Sequence, residues 1–398
     1  MAIEASQVNR AGQAKQEARE RVEQEQQALV GLSHRIHAEP EVAFEEARAC
    51  GSVTEWLTRS GFDVRLRPAG LETAVSGTTG PGPFHVVICA EYDALPAVGH
   101  ACGHNVIAAA AVGAGIALAK VAEAVGLRIT VLGTPAEEGG AGKALLLEGG
   151  AFEGVHAALM IHPAPLDVLE PHVLAAQTID VSYHGREAHA AAYPELGVNA
   201  ADALVVAQTA IGLLRQHLRP TDRVHGIVTK GGDAPNIVPA HTSARYMVRA
   251  RTLDELEDVR DKVVRCFEAG ARASGASLEL EPRAVYAHMR HERAIADVFR
   301  RNATALGRRF DHPSDALGAF STDMGNVSLS IPSIHPMLGI DSLPAVMHQP
   351  GFQVAAAAPA GDQAIFDGAV AMAWTAIDLA TDEALRSRLL SSEPVLAG

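Results

Sequence analysis

Three short apolar runs, His85–Ala90 (HVVICA), Arg128–Gly133 (RITVLG) and Ala157–Ile161 (AALMI), constrain this chain more than any other feature. Each is too short for a helix of its own and reads as a strand buried within a sheet. Between them lie helix signals, the long Ala- and Gly-rich stretch Cys102–Ala122 and the shorter Lys143–Glu148. A helix continuing through Ala28–His37 and another over Glu45–Ser60 come first. Strands alternating with helices predict an α/β layer, parallel wherever the connection is a helical crossover.

The pattern then changes. Gln177–Tyr183 (QTIDVSY) alternates apolar and polar residues, as a strand with one wet face does. A helix over Ala200–Arg215, strands over Val224–Thr229 and Thr242–Ala250, a helix over Leu253–Ser274 and a strand over Ser277–Glu281 follow. This β-α-β-β-α-β order is the ferredoxin-like split unit. A chain of 398 residues exceeds what one core usually organises. The expected division is therefore a catalytic α/β domain from residues 1–174 and 286–398, interrupted by an inserted domain at 175–285.

A formal net charge of −14 argues against a nucleic-acid or anionic-membrane partner. It leaves anionic substrates open, because a bound metal reverses the local field. The first 30 residues are charged and helix-prone, unlike a signal peptide. No apolar run of membrane-spanning length is read from the sequence, Val106–Ala119 being too short. Four cysteines without disulfide-like spacing suit a reducing cytoplasm.

Chemistry enters through placement. Glu91 and Asp93 follow the first apolar run, Glu137 and Glu138 the second, and His162 the third. Ligands collect at the carboxyl ends of strands in an open α/β sheet, so acids and imidazole converge on one edge. Gly99–Asn105 (GHACGHN) adds Cys102 and His104 just ahead of the long helix. Two residues apart, these would not face one another on a regular helix, so they belong to a loop or first turn. Thiolate, imidazole and carboxylate together suit Zn²⁺, with Mn²⁺ or Co²⁺ accommodated by the mixed hard and soft donors. Neighbours in extended backbone point opposite ways, so one of Glu137 and Glu138 can ligate while the other serves as general base. Cys50, Cys89 and Cys266 read as inert core residues, and His100 as structural. Arg245, Arg249 and Arg251 are either solvated or recognise a substrate carboxylate.

Several ordered motifs carry a resemblance. AEYDALPAVGHACGHN, TPAEEGGAGK, MIHP, GREAHAA, APNIVPAHT, STDMGNVS and VMHQPGF span about residues 30–375. Together they resemble the metal-dependent aminoacylase and carboxypeptidase G family, in the branch of auxin-conjugate hydrolases, aminobenzoyl-glutamate hydrolase and β-alanyl-lysine-type dipeptidases. The resemblance implies a metallopeptidase α/β/α catalytic domain whose ferredoxin-like insert acts as lid and dimerisation surface. It further implies that Cys102, His104, Glu138, His162 and His348 bind two divalent metals, that Glu137 is the general base, and that Asp93 orients a ligand imidazole. His189 would polarise the scissile carbonyl, in the partner subunit's site of a homodimer, and Asn236, Ser321, Thr322 and Asp323 would contact substrate. Glu91 stands where the broader family often has a metal-binding His and is not counted as a ligand. Asn105 departs from the Asp of most of the branch.

The implied reaction is hydrolysis of the amide bond of a small N-acyl amino acid or dipeptide-like substrate. Two other readings stay open, a deaminase or other C–N hydrolase on the same metals and a catalytically idle metal- or peptide-binding protein.

Overall fold

The computed structural model describes residues 2–391. The chain forms two compact units, Met1–His172 with Met289–Gly398, and Val173–His288.

In chain order the first unit contributes helix α1 (Ala2–Ala38), helix α2 (Ala47–Arg59), strands β1 (Asp63–Leu66), β2 (Val75–Thr79) and β3 (Phe84–Glu91), helix α3 (His104–Val125), strand β4 (Leu127–Thr134), helix α4 (Gly142–Glu148) and strands β5 (Ala157–Leu159) and β6 (His162–Ala164). The second unit holds β7 (Ala175–His184), α5 (Ala200–Leu214), β8 (Arg223–Lys230), β9 (His241–Ala250), α6 (Leu253–Ser274) and β10 (Ser277–Tyr286). The chain then returns to the first unit with α7 (Arg293–Ala305), α8 (Met324–Ser330), β11 (Ser333–Ile334), β12 (Met337–Gly339), α9 (Pro350–Ala355), α10 (Pro359–Thr381) and α11 (Glu383–Ser391).

The main sheet of the first unit has the order β1-β2-β4-β3-β5-β11. Strands β4, β3, β5 and β11 run parallel, as the helical crossovers require. Strands β1 and β2 are antiparallel additions outside the elements expected from sequence. The side chains of β1 are largely exposed, so it lacks an apolar signature. The uninterrupted apolar run of β3 has a plain cause: Val86, Ile88 and Ala90 enter one core with α1, α3 and α10. Val87 and Cys89 enter a second core on the other face with Leu146, Met324 and Val327. Helices cover both faces, so both registers of the strand are apolar.

Small residues let α3 approach the sheet closely. A Cβ on Gly115 would lie 2.2 Å from Val131 Cγ2, and one on Gly113 2.9 Å from the Cβ of Ala369 in α10. Both α3 and α10 are long and apolar enough to cross a membrane by length and composition, contrary to the expectation from sequence. Both are mostly buried within the unit. Their hydropathy comes from many small apolar side chains, which serve equally well in a tight interior.

In the second unit, β7, β8, β9 and β10 form an antiparallel sheet of order β10-β7-β9-β8. Alternate residues of β7, including Ile179, Val181 and Tyr183, pack with Leu204 of α5 and Val263 and Phe267 of α6. This is the ferredoxin-like arrangement expected from the β-α-β-β-α-β order.

Candidate metal centre

The backbone ahead of α3 turns sharply at Gly103, whose φ is +82°. A Cβ there would also meet Pro163 Cγ at 2.5 Å, so glycine satisfies both the left-handed conformation and the close approach. The turn lets Cys102 face His162, with Sγ 3.5 Å from Nε2. His104 is the first residue of α3. Cys102 and His104 thus occupy the loop and first turn, as their spacing requires.

The imidazoles of His162 and His104 are each held by their other nitrogen. His162 Nδ1 lies 2.7 Å from the Pro163 carbonyl oxygen, to which it donates, leaving the Nε2 lone pair towards Cys102. His104 Nδ1 lies 2.9 Å from Asp93 Oδ1. The second oxygen of Asp93 accepts from the Glu138 backbone N–H at 2.9 Å. His348 reaches the cluster from far along the chain. Its Nε2 lies 3.3 Å from Glu138 Oε1, and its backbone N–H donates to the Ala101 carbonyl at 2.8 Å.

Glu137 and Glu138 correct the extended-backbone argument. Strand β4 ends at Thr134, Ala136 has a φ of +59°, and the two acids sit in a turn closed by Gly139 and Gly140. In a turn, adjacent side chains can point to the same side, and both carboxylates reach the neighbourhood of His104. Glu46 holds this turn in place and was not singled out from sequence. It is fully buried, and its carboxylate accepts from the Ala136 backbone N–H at 2.8 Å and from Thr73 Oγ1 at 2.7 Å.

All five expected ligands therefore converge. Ligand atoms of Cys102, His104 and His162, of Cys102, Glu138 and His348, and of His104, Glu137 and Glu138 each lie within 4.8 Å of one another. The donor set fits divalent metal: a thiol, three imidazoles and a carboxylate, with His104 Nε2 buried without a hydrogen-bond partner. His348, with a side chain 55% exposed, is the member that opens the cluster to solvent.

Burial and the neighbouring charges push the groups apart in acidity. Burial, reinforced by Glu91 and Glu138, raises the Glu137 carboxyl well above the usual range. Burial acts the same way on Glu138, but the His348 hydrogen bond and the charge of His104 overcome it and hold that carboxyl low. Asp93 is also held low against burial by His104. Two adjacent acids with opposite displacements have the character of one proton carrier and one permanent anion.

A buried ion cluster lies beside this site. The Lys143 ammonium contacts Glu91 and lies 2.6 Å from Asp323 Oδ1. The Lys143 backbone N–H donates to the other Asp323 oxygen at 2.8 Å. All three side chains are fully buried. Asp323 thus faces Lys143, a change from the expectation that it lines a substrate pocket. Thr322 is buried and accepts from the Met324 N–H, and Ser321 beside it is half-buried. Lys143 and Asp323 are 180 residues apart, and no local pattern announces the pair.

His189 and Asn236 belong to the second unit, where both are exposed. They sit on paired segments, with the Ala190 N–H donating to the Asn236 carbonyl at 3.0 Å. His189 Nδ1 accepts from the backbone N–H groups of Ala191 and Ala192. That caps a turn and leaves the ring proton on Nε2 as a free-standing donor. Arg245 pairs with Asp180 and Arg251 with Glu255 inside the same unit. The four cysteines are free and buried.

Residues 176–274 match the profile described as a peptidase dimerisation domain. The Xaa-Arg dipeptidase of Mus musculus is 37% identical over 388 residues, covering 93% of this chain and 90% of its own. One of the subunits of the p-aminobenzoyl-glutamate hydrolase of Escherichia coli is 31% identical, over 65% of this chain and 58% of its own. Among solved structures, the aminobenzoyl-glutamate utilization protein of Klebsiella pneumoniae superposes with a TM-score of 0.74 at 20% identity, covering 90% of this chain and 97% of its own. A Bacillus subtilis protein described as a dinuclear metal binding peptidase from the M20 family gives a TM-score of 0.68 at 20% identity, over 89% of this chain and 98% of its own. These relatives are amidohydrolases and dipeptidases, and the chain belongs to the M20 family of metallopeptidases and is a hydrolase of that family.

Proposed function

We propose that this protein hydrolyses the amide bond of a small dipeptide-like or N-acyl amino acid substrate, using two divalent metal ions. The observation that carries the reading is the convergence of Cys102, His104, His162, Glu138 and His348, with the Glu137 carboxylate beside His104 and Glu138. The dinuclear description of the Bacillus subtilis neighbour supports the metal count. Zn²⁺ is proposed first because a cysteine and three histidines dominate the donors, and Mn²⁺ or Co²⁺ suit the carboxylates.

When bound, the metals supply Lewis acidity, polarising the carbonyl and acidifying water. The chain's own residues do the rest. Glu137 takes a proton from water at its carboxylate and returns it to the departing amine. Asp93 keeps the His104 ring oriented through Nδ1 and fixes the Glu138 backbone. His189, with its proton on Nε2, donates to the developing oxyanion, and in a homodimer that oxyanion belongs to the partner copy's site. Asn236, on the segment paired with that of His189, contacts the substrate, and so does the half-buried Ser321 beside Thr322.

The Xaa-Arg dipeptidase relatives direct the substrate search to dipeptides with a basic C-terminal residue. The test is a panel of such dipeptides, β-alanyl dipeptides and N-acyl amino acids, assayed with wild type and Glu137→Gln after metal loading. Cleavage by wild type that Glu137→Gln loses supports the reading. Equal turnover by both proteins contradicts it.

A further inference from the structure

The ion cluster beside the metal centre has one oxygen to spare. Glu91 Oε1 is taken by the Lys143 ammonium, whereas Glu91 Oε2 is buried with no hydrogen-bond partner. It points at His104 Nε2, 3.3 Å away, and that nitrogen is also buried without a partner. His104 Nδ1 is already engaged by Asp93, which leaves Nε2 as the ring nitrogen that faces Glu91. The two atoms make no hydrogen bond to each other at this distance, and a carboxylate oxygen and an imidazole nitrogen so placed are donors that one divalent cation can join.

The distance identifies what kind of cation. Two ligands about 2.0–2.1 Å from one tetrahedral ion stand about 3.3–3.4 Å apart. The Glu138–His348 contact has the same 3.3 Å separation, and Cys102–His162 is longer at 3.5 Å, as the larger sulfur requires. Glu137 Oε2 lies 4.0 Å from His104 Nε2, outside such an edge and suited to acting through water. Resting on the di-metal reading above, we infer that Glu91 is a further ligand of the metal that His104 binds, with Lys143 orienting it through its other oxygen. Lys143 then plays for a ligating carboxylate the part that Asp93 plays for a ligating imidazole.

The assignment is tested on the full chain by measuring metal stoichiometry and affinity for Zn²⁺ and Mn²⁺ against a competing chelator. Removing an outer partner that only orients a ligand weakens metal binding about 10–100-fold. Glu91→Gln is expected to weaken one of the two sites by more than that, and Lys143→Met to fall within it. In cobalt-loaded protein, Glu91→Gln is expected to shift the visible absorption bands. A loss below about a hundredfold in Glu91→Gln, an unchanged cobalt spectrum, or a larger loss in Lys143→Met than in Glu91→Gln would overturn the assignment alone. A wild type that takes up no divalent metal overturns the di-metal reading with it. Should Glu91→Gln not fold, Glu91→Asp keeps the charge but withdraws the oxygen by one methylene, and is read against the same limits.

Discussion

Asp93 accepts from His104 Nδ1 at 2.9 Å, and neither side chain has any solvent exposure. The same carboxylate holds the Glu138 backbone N–H, so one buried acid fixes His104 on α3 and Glu138 in the turn after β4. Replacing it with Asn keeps the shape and removes the charge. Asp93→Asn is expected to weaken metal affinity about 10–100-fold. Equilibrium dialysis against a buffered metal series checks this, and wild-type affinity in the variant would remove Asp93 from the site.

Glu137 and Glu138 are neighbours with separable roles. Glu137→Gln is expected to retain both metals while kcat falls by about 10²–10⁴, the usual contribution of a general base. Glu138→Gln is expected to lose metal instead. Paired metal analysis and steady-state kinetics distinguish them, and identical behaviour of the two variants would contradict the division.

His189 is expected to act across the dimer. Glu137→Gln and His189→Ala homodimers should each be weak, His189→Ala by about 10²–10³ if it carries one oxyanion contact. Mixed dimers of the two then regain activity, because one of their two sites has both residues. Mixing after dissociation and reassociation is the measurement. No recovery would place His189 in the site of its own chain or outside catalysis.

His85, away from the site, predicts an acid-side stability slope. Burial, aided by Arg128 and His156, lowers its pKa from 6.5 to about 4. The folded state therefore prefers the neutral ring, and the unfolded chain binds the extra proton first as pH falls. Stability from this group is full above 6.5 and is lost between 6.5 and about 4, by at most about 1.4 kcal/mol per pH unit. His85→Gln keeps a partner for Thr130 Oγ1, which His85 Nε2 meets at 2.8 Å. Denaturant unfolding across that window should show a shallower pH slope in the variant; an equal slope would assign the acid loss elsewhere.

The sequence revealed what burial writes into local pattern. Both faces of β3 are covered, so HVVICA reads as a strand, and the one wet face of β7 produces its alternation. It concealed what depends on backbone geometry or on distant partners. Strand β1 is too exposed to carry a signal. The turn that brings Glu137 and Glu138 to one side depends on a positive φ at Ala136, which its residue type does not announce. Lys143 meets Asp323 across 180 residues, and His348 entered only through its resemblance to a family motif. Strand-end placement thus located the cluster, while the resemblance supplied its outermost member.

The central claim is the pair of metals. Anomalous diffraction from crystals of the zinc-loaded protein, collected on both sides of the zinc edge, tests it most directly. Two peaks are expected within bonding distance of Cys102, His104, His162, Glu138 and His348, with Glu91 a further ligand of the ion at His104 and Glu137 alongside but unbound. A single peak, or peaks bound by other residues, would contradict the account.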